Sequence, residues 1–144
     1  MSSLTLAQAS TIVDIALKKG RETSCSPLTV AVLDAGGHLV AFKREDRSGI
    51  LRQDIATGKA YGALGMGYGS RELAERVTKN PVFMTVLSAV SHGRFIPVPG
   101  GVLIKDSAGE IIGAVGVSGD TSDKDEVCAV AGIEAAGLKP MIGA

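Results

Sequence analysis

Twice in this chain an apolar, β-branched run enters a turn rich in Asp and Gly and returns at once as a second apolar run. Pro27 introduces Leu28-Thr29-Val30-Ala31-Val32-Leu33, Asp34-Ala35-Gly36-Gly37-His38 reads as the turn, and Leu39-Val40-Ala41-Phe42-Lys43 returns. Val102-Leu103-Ile104-Lys105 and Ile111-Ile112-Gly113-Ala114-Val115-Gly116-Val117 flank a second turn, Asp106-Ser107-Ala108-Gly109-Glu110. Turns this short join only antiparallel neighbours, because a parallel pair needs a crossover of about a dozen residues or more. The sheet is therefore antiparallel, and its apolar surface needs helices to cover it.

The remaining segments supply those helices. Thr5 and Gln8 form a Thr-x-x-Gln capping box ahead of Leu6, Ala9, Val13, Ala16 and Leu17, which share one helical face, and Gly20 is the expected stop. A second helix is expected from about Ile50 to Leu64, with Leu51, Ile55, Gly58 and Gly62 on one face. Gly58 and Gly62 lower helix propensity, which points to close packing there. After Gly65-Met66-Gly67-Tyr68-Gly69, Ser70 reads as the cap of a short helix to about Val77, and Asn80-Pro81 opens another through Val90. An irregular stretch, 92–101, follows. Ser122 with Asp125 reads as the cap of a last helix ended by Gly137 and Pro140. The order α, ββ, α, α, α, ββ, α describes one α/β domain over 1–144. The first and last helices are expected on one face of a central antiparallel sheet and the middle ones on the other.

Fifteen Lys and Arg balance fifteen Asp and Glu, with no basic run longer than the pairs Lys18-Lys19 and Lys43-Arg44. Nucleic acid needs a basic face and an anionic membrane a polybasic patch, so neither is an expected partner. No apolar run approaches the roughly 20 residues of a spanning helix. Met1-Ser2-Ser3-Leu4-Thr5 carries no positive charge, and Asp14 and Lys18 interrupt the place of a signal peptide's apolar core, so a cytoplasmic location is expected. Cys25 and Cys128 are distant in sequence, have no metal-ligand spacing, and are expected as reduced structural thiols. Nineteen glycines against three Phe and two Tyr suit close backbone approaches with few large anchors. Such a domain is expected to finish burying its apolar surface against a copy of itself, as a dimer or larger homo-oligomer.

Four pieces of the chain, in order, resemble one family. They are Val32-Leu33-Asp34-Ala35-Gly36-Gly37-His38-Leu39 with Lys43-Arg44-Glu45-Asp46; Ala56-Thr57-Gly58-Lys59-Ala60; Pro99-Gly100-Gly101-Val102-Leu103-Ile104; and Gly113-Ala114-Val115-Gly116-Val117-Ser118-Gly119 with Asp125-Glu126-Val127-Cys128-Ala129. Together they are similar to the GlcG/HbpS-like haem-binding family, and to the C-terminal domain of PduO-type corrinoid adenosyltransferases. The resemblance implies a profilin-like α/β domain, assembly into dimers or larger rings, and haem as cofactor. The function it implies is that of a haem- or tetrapyrrole-binding accessory or sensor protein of a catabolic operon.

Only two histidines, His38 and His92, are present to ligate haem iron through a neutral imidazole. Glycine leaves backbone N–H groups approachable, so Gly100-Gly101 and Ser118-Gly119, the latter leading into a helix N-terminus, suit a carboxylate such as a propionate or a small organic acid. Arg44 and Lys59 are the candidate cations, with Asp34, Asp46 and Asp125 as possible partners. Lys59 falls on the apolar side of its helix, so it must snorkel, pair, or lose basicity. Arg44, Lys59, Gly100, Gly101 and the Ser118-Gly119 turn are expected to converge on one cleft, and His38 and Asp125 are further candidate ligand-binding residues. The same residues permit a rival reading, a small cofactor-free isomerase or decarboxylase acting on a carboxylate, with Lys59 or Asp125 as acid/base and Arg44 as anchor. A structural oligomerisation module is a third. Glu72-x-x-Glu75 could hold iron at the surface, or form a solvated face with Arg71 and Arg76.

Overall fold

Thr5 and Gln8 form the capping box their spacing requires: the Thr5 hydroxyl accepts from the Gln8 N–H at 3.1 Å, and the Thr5 N–H donates to the Gln8 side chain at 3.0 Å. They open helix α1, Leu6–Glu22, in a computed structural model that describes residues 3–144. Met1 and Ser2, which head the segment read for a targeting signal, lie outside the described residues. Gly20 does not stop the helix. It lies inside α1, where a Cβ would run into Leu28 Cδ1, and the left-handed residue comes later, at Ser24 (φ 57°). Packing fixes this glycine, so it is no guide to the helix end.

Strands β1 (Thr29–Asp34) and β2 (Leu39–Arg44) form the first hairpin, and β3 (Gly101–Lys105) and β4 (Ile111–Ser118) the second. The hairpins meet through β1 and β4 in antiparallel register, Thr29 opposite Ser118 and Asp34 opposite Gly113. A fifth strand, β5 (Lys139–Met141), extends the sheet to the order β2-β1-β4-β3-β5. Pro140 therefore sits in an edge strand as well as after a helix. The edge is one of the few sheet positions that tolerates its missing N–H.

Alternation along the strands divides the core in two. Val30, Val32, Val102, Ile104, Val115 and Val117 pack under α1 and the last helix, α5 (Ser122–Ala135). Leu33, Leu103 and Ala114 face α2 (Arg52–Met66) with its Ala60 and Ala63. The first and last helices thus share one face. On the other, α2 does most of the covering, while α3 (Ser70–Lys79) and α4 (Pro81–Val90) form a small satellite core around Leu73, Met84 and Phe95. The glycines of α2 do accept close neighbours: a Cβ on Gly58 would lie 2.6 Å from Ile96 Cγ1, and one on Gly62 2.9 Å from Phe95 Cδ1.

Two caps differ from the sequence reading for one reason, a better use for the side chain. Gly69 caps α3, and Ser70 instead clasps the start of β3, its Oγ accepting from Gly101 N at 2.7 Å and donating to Gly101 O at 3.1 Å. Thr121 caps α5, accepting from Lys124 N, and Asp125 is drawn inward. Among the described residues no helix is long and apolar enough to cross a membrane.

Candidate functional site

The antiparallel register sorts the candidate residues to two ends of the sheet. Thr29, Arg44, Gly101 and Ser118 share one end; the Asp34–His38 turn lies at the other.

At the first end, Lys59 is 1% exposed despite its charge. Its Nζ donates to the Val117 carbonyl at 2.9 Å and to Asp125 Oδ2 at 3.1 Å. Asp125, itself fully buried, accepts from Asp120 N–H through its other oxygen at 3.0 Å. Because α2 and α5 cover opposite faces, this ion pair passes around the end of the sheet. Gly100 leaves it room: at φ 121°, a Cβ there would lie 2.8 Å from Lys59 Nζ and 3.1 Å from Cδ. Gly101 admits the α2 backbone at Lys59, and Gly119 (φ 152°) turns the chain where a Cβ would strike Pro27 O. Burial pushes the Lys59 ammonium's pKa down and the Asp125 carboxyl's up, each opposed by attraction to the other.

Lys59, Gly100, Gly101, Asp125 and the Ser118-Gly119 turn therefore come together, in a filled polar knot. Acid/base work by Lys59 would require both its bonds to break. Arg44 stands apart, exposed at the end of edge strand β2 in a shallow depression with Arg21 and Glu45. The cation that reaches Ser118 is Arg52, whose Nη1 donates to Ser118 Oγ at 3.1 Å. Sequence reasoning missed it, although Arg52 and Lys59 are two helical turns apart and so share a face. Beside it the Thr29 and Ser48 hydroxyls bond each other at 2.7 Å.

At the opposite end both hairpin turns border a cleft of about 690 Å³, lined by Leu4, Ala35, Gly36, His38, Glu110 and Ile112 among others. Asp34 organises the turn: Oδ1 accepts from Gly36 N at 2.9 Å and from His38 N at 3.0 Å, and lies 3.1 Å from His38 Nδ1. Burial would raise the Asp34 pKa, but these backbone N–H bonds and the imidazole outweigh it and lower the value. The carboxylate is thus ionised at neutral pH, which places the His38 proton on Nδ1 and leaves the lone pair of the neutral ring on Nε2. Gly36 has no side chain to obstruct the ring, since a Cβ there would lie 2.8 Å from His38 Cε1. The result is an oriented imidazole, its side chain 81% exposed, at the mouth of an apolar cleft.

His92 is elsewhere. It follows α4 in a left-handed conformation (φ 55°), exposed, and does not line that cleft. Glu72 is engaged by Arg76 at 2.9 Å within α3. No group of three or more His, Cys, Asp or Glu side chains is placed to hold a metal ion among the described residues.

The fold has counterparts. The chain is 30% identical over 129 residues to an uncharacterized 15.0 kDa protein from the dhaT-dhaS intergenic region of Citrobacter freundii, covering 90% of this chain and 89% of that one. It superposes on Klebsiella pneumoniae protein ORFY with TM-score 0.84 and 28% identity, covering 95% and 92% of the two chains. HbpS follows with TM-score 0.80 and 25% identity over 93% and 90%. A PduOC:heme complex shares the fold at TM-score 0.84 and 22% identity over 95% and 97%. The model of the family described as haem degrading protein HbpS-like matches residues 4–134, nearly the whole domain, and the chain belongs to that family.

Proposed function

We propose that this protein binds haem or a related tetrapyrrole in the cleft between the hairpin turns, with His38 Nε2 as the iron ligand. The observation that carries the reading is the Asp34–His38 pair. A carboxylate on Nδ1 fixes ring orientation and tautomer and makes Nε2 a better donor, the usual companion of a metal-ligating histidine. The residues fit the group in two further respects. The cleft falls in the size range of ligand sites, and Leu4, Ala35 and Ile112 supply apolar walls for a flat macrocycle. Among the described residues no Lys or Arg lines it, so the chain offers a propionate no cation there. Haem, when bound, supplies the redox and ligand-binding chemistry; the chain's own part is to hold the imidazole and exclude water from one face of the ring. An accessory or sensing role in the cytoplasm is the physiological setting that this reading favours.

Haemin titration tests the site. The wild-type protein should shift the Soret band, His38→Ala should abolish or change the shifted spectrum, and His92→Ala should leave it intact. A His38→Ala spectrum identical to wild type would overturn the assignment.

The same proposal includes self-assembly. Helix α4 contains no charged residue, yet Val82, Val86 and Val90 are 76%, 52% and 68% exposed. Ile50 and Leu51 are exposed as well, 85% and 67%. A two-fold interface sets like against like, and an uncharged helix meets its own copy without repulsion. Light scattering should show at least a dimer at micromolar concentration, reduced to monomer by Val82→Glu with Val86→Glu. A monomeric wild-type protein would refute it.

A further inference from the structure

We propose that Cys25 and Cys128 form a dithiol that a peroxide oxidises to an intrachain disulfide, pinning the 23–28 loop to α5. They are 103 positions apart in sequence, but the fold brings both to Gly20 of α1. Cys25 N–H donates to the Gly20 carbonyl at 2.9 Å, and a Cβ on Gly20 would stand 3.8 Å from Cys128 Sγ. Both thiols are free and belong to one core cluster, Cys25 at 4% and Cys128 at 0% exposure. Burial, and after it the neighbouring Cys25 thiol, pushes the Cys128 thiol up to about 12.

The two cysteines have different surroundings, and that sets the order of events. Cys25 belongs to a loop with a left-handed residue, Ser24, and its Sγ lies 3.4 Å from the Thr23 hydroxyl, whose proton goes to the Lys19 carbonyl at 2.8 Å. Cys128 is held in the middle of α5 and keeps its proton. Local opening of the loop exposes Cys25, whose thiolate attacks one peroxide oxygen; the O–O bond breaks, giving a sulfenic acid and hydroxide, which takes up a proton as water. On reclosure the Cys128 sulfur attacks the Cys25 sulfur, the S–S bond forms, and the sulfenic oxygen leaves as a second water with the Cys128 proton. Two thiols and one peroxide thus yield one disulfide and two waters. The bridge would lie one helical turn from Asp125, so that it stiffens the element holding the Lys59 knot.

The experiment uses the reduced full-length protein treated with hydrogen peroxide, then unfolded in the presence of a thiol-blocking reagent. The expected chain takes up no blocker, loses two hydrogens in intact mass, and gives a single linked peptide pair containing Cys25 and Cys128. It should also melt several degrees higher than the reduced form, because a loop of about a hundred residues is closed in the unfolded chain. Cys25→Ser and Cys128→Ser should each yield no intrachain link. Two blocked thiols after treatment, disulfide-linked dimers, a sulfinic acid mass, or a lowered melting temperature would overturn the proposal.

Discussion

Lys59→Met is the most informative perturbation of this fold, because the knot it breaks has no solvent to compensate. The substitution keeps most of the side-chain volume and removes the charge. Among the described residues, it leaves Asp125 fully buried with one N–H donor, from Asp120, and takes the Val117 carbonyl's only side-chain donor. Removing one partner of a buried pair costs about 3–5 kcal/mol, since the other charge stays behind uncompensated. Urea unfolding at neutral pH should show that loss as a lower midpoint at unchanged slope. Lys59→Met with Asp125→Leu should recover most of it, because apolar replacement of a whole buried pair is often neutral. The pH dependence gives an independent check. Without Lys59, the folded-state pKa of Asp125 stands further above its unfolded value, so the folded form binds more protons between the two. Stability of the variant relative to wild type therefore rises as pH falls through that folded pKa, and the full deficit appears above it. A loss below about 1 kcal/mol, or a deficit that does not shrink in acid, would refute the account.

Gly116→Ala should destabilise by about 3 kcal/mol or more, since its Cβ would collide with the Ala56 carbonyl of α2 and no side chain can yield. Gly65→Ala, in the same helix with nothing within 4 Å, should instead stabilise by about 0.5–1 kcal/mol; urea titration of both variants tests the pair. Asp120 accepts from Ser26 and Thr121 N–H groups, which hold its pKa below the usual carboxylate value. Its stabilisation is complete above the unfolded pKa and is lost as pH falls through the lower folded one, so Asp120→Asn should flatten the acid limb of a melting-temperature profile. An unchanged limb would contradict this.

The two hairpins, the Thr5 box and the Asn80-Pro81 helix start were legible because each depends on neighbours within a few residues. The ends of α1, α3 and α5 were not, since Gly20, Ser70 and Asp125 are committed to Leu28, Gly101 and Lys59, partners from 8 to 66 positions away. The candidate site divides the same way. Periodicity placed Lys59 on an apolar face, where it had to snorkel, pair or lose basicity; the fold resolves this by pairing it with Asp125 beside Gly100 and Gly101. It could not show that the register puts Arg44 two strands from that knot, or that His38 belongs to the far end of the sheet. The Asp34-x-x-x-His38 spacing is a local signal, readable as an Asp-headed turn that folds back on its own histidine. Its value emerges only with Leu4 and Ile112, which come from other elements.

Helix α2 meets the sheet main chain to main chain at two points, with Gly116 under Ala56 and Gly101 under Lys59. Side-chain interfaces drift over generations because a larger residue on one surface can be answered by a smaller one opposite. Here the opposing surface is a carbonyl, which cannot be made smaller. A lineage carrying this domain therefore has no compensating second step for a substitution at either glycine. The distance between α2 and the sheet, and with it the reach of Lys59, is thereby set by the backbone at these two positions.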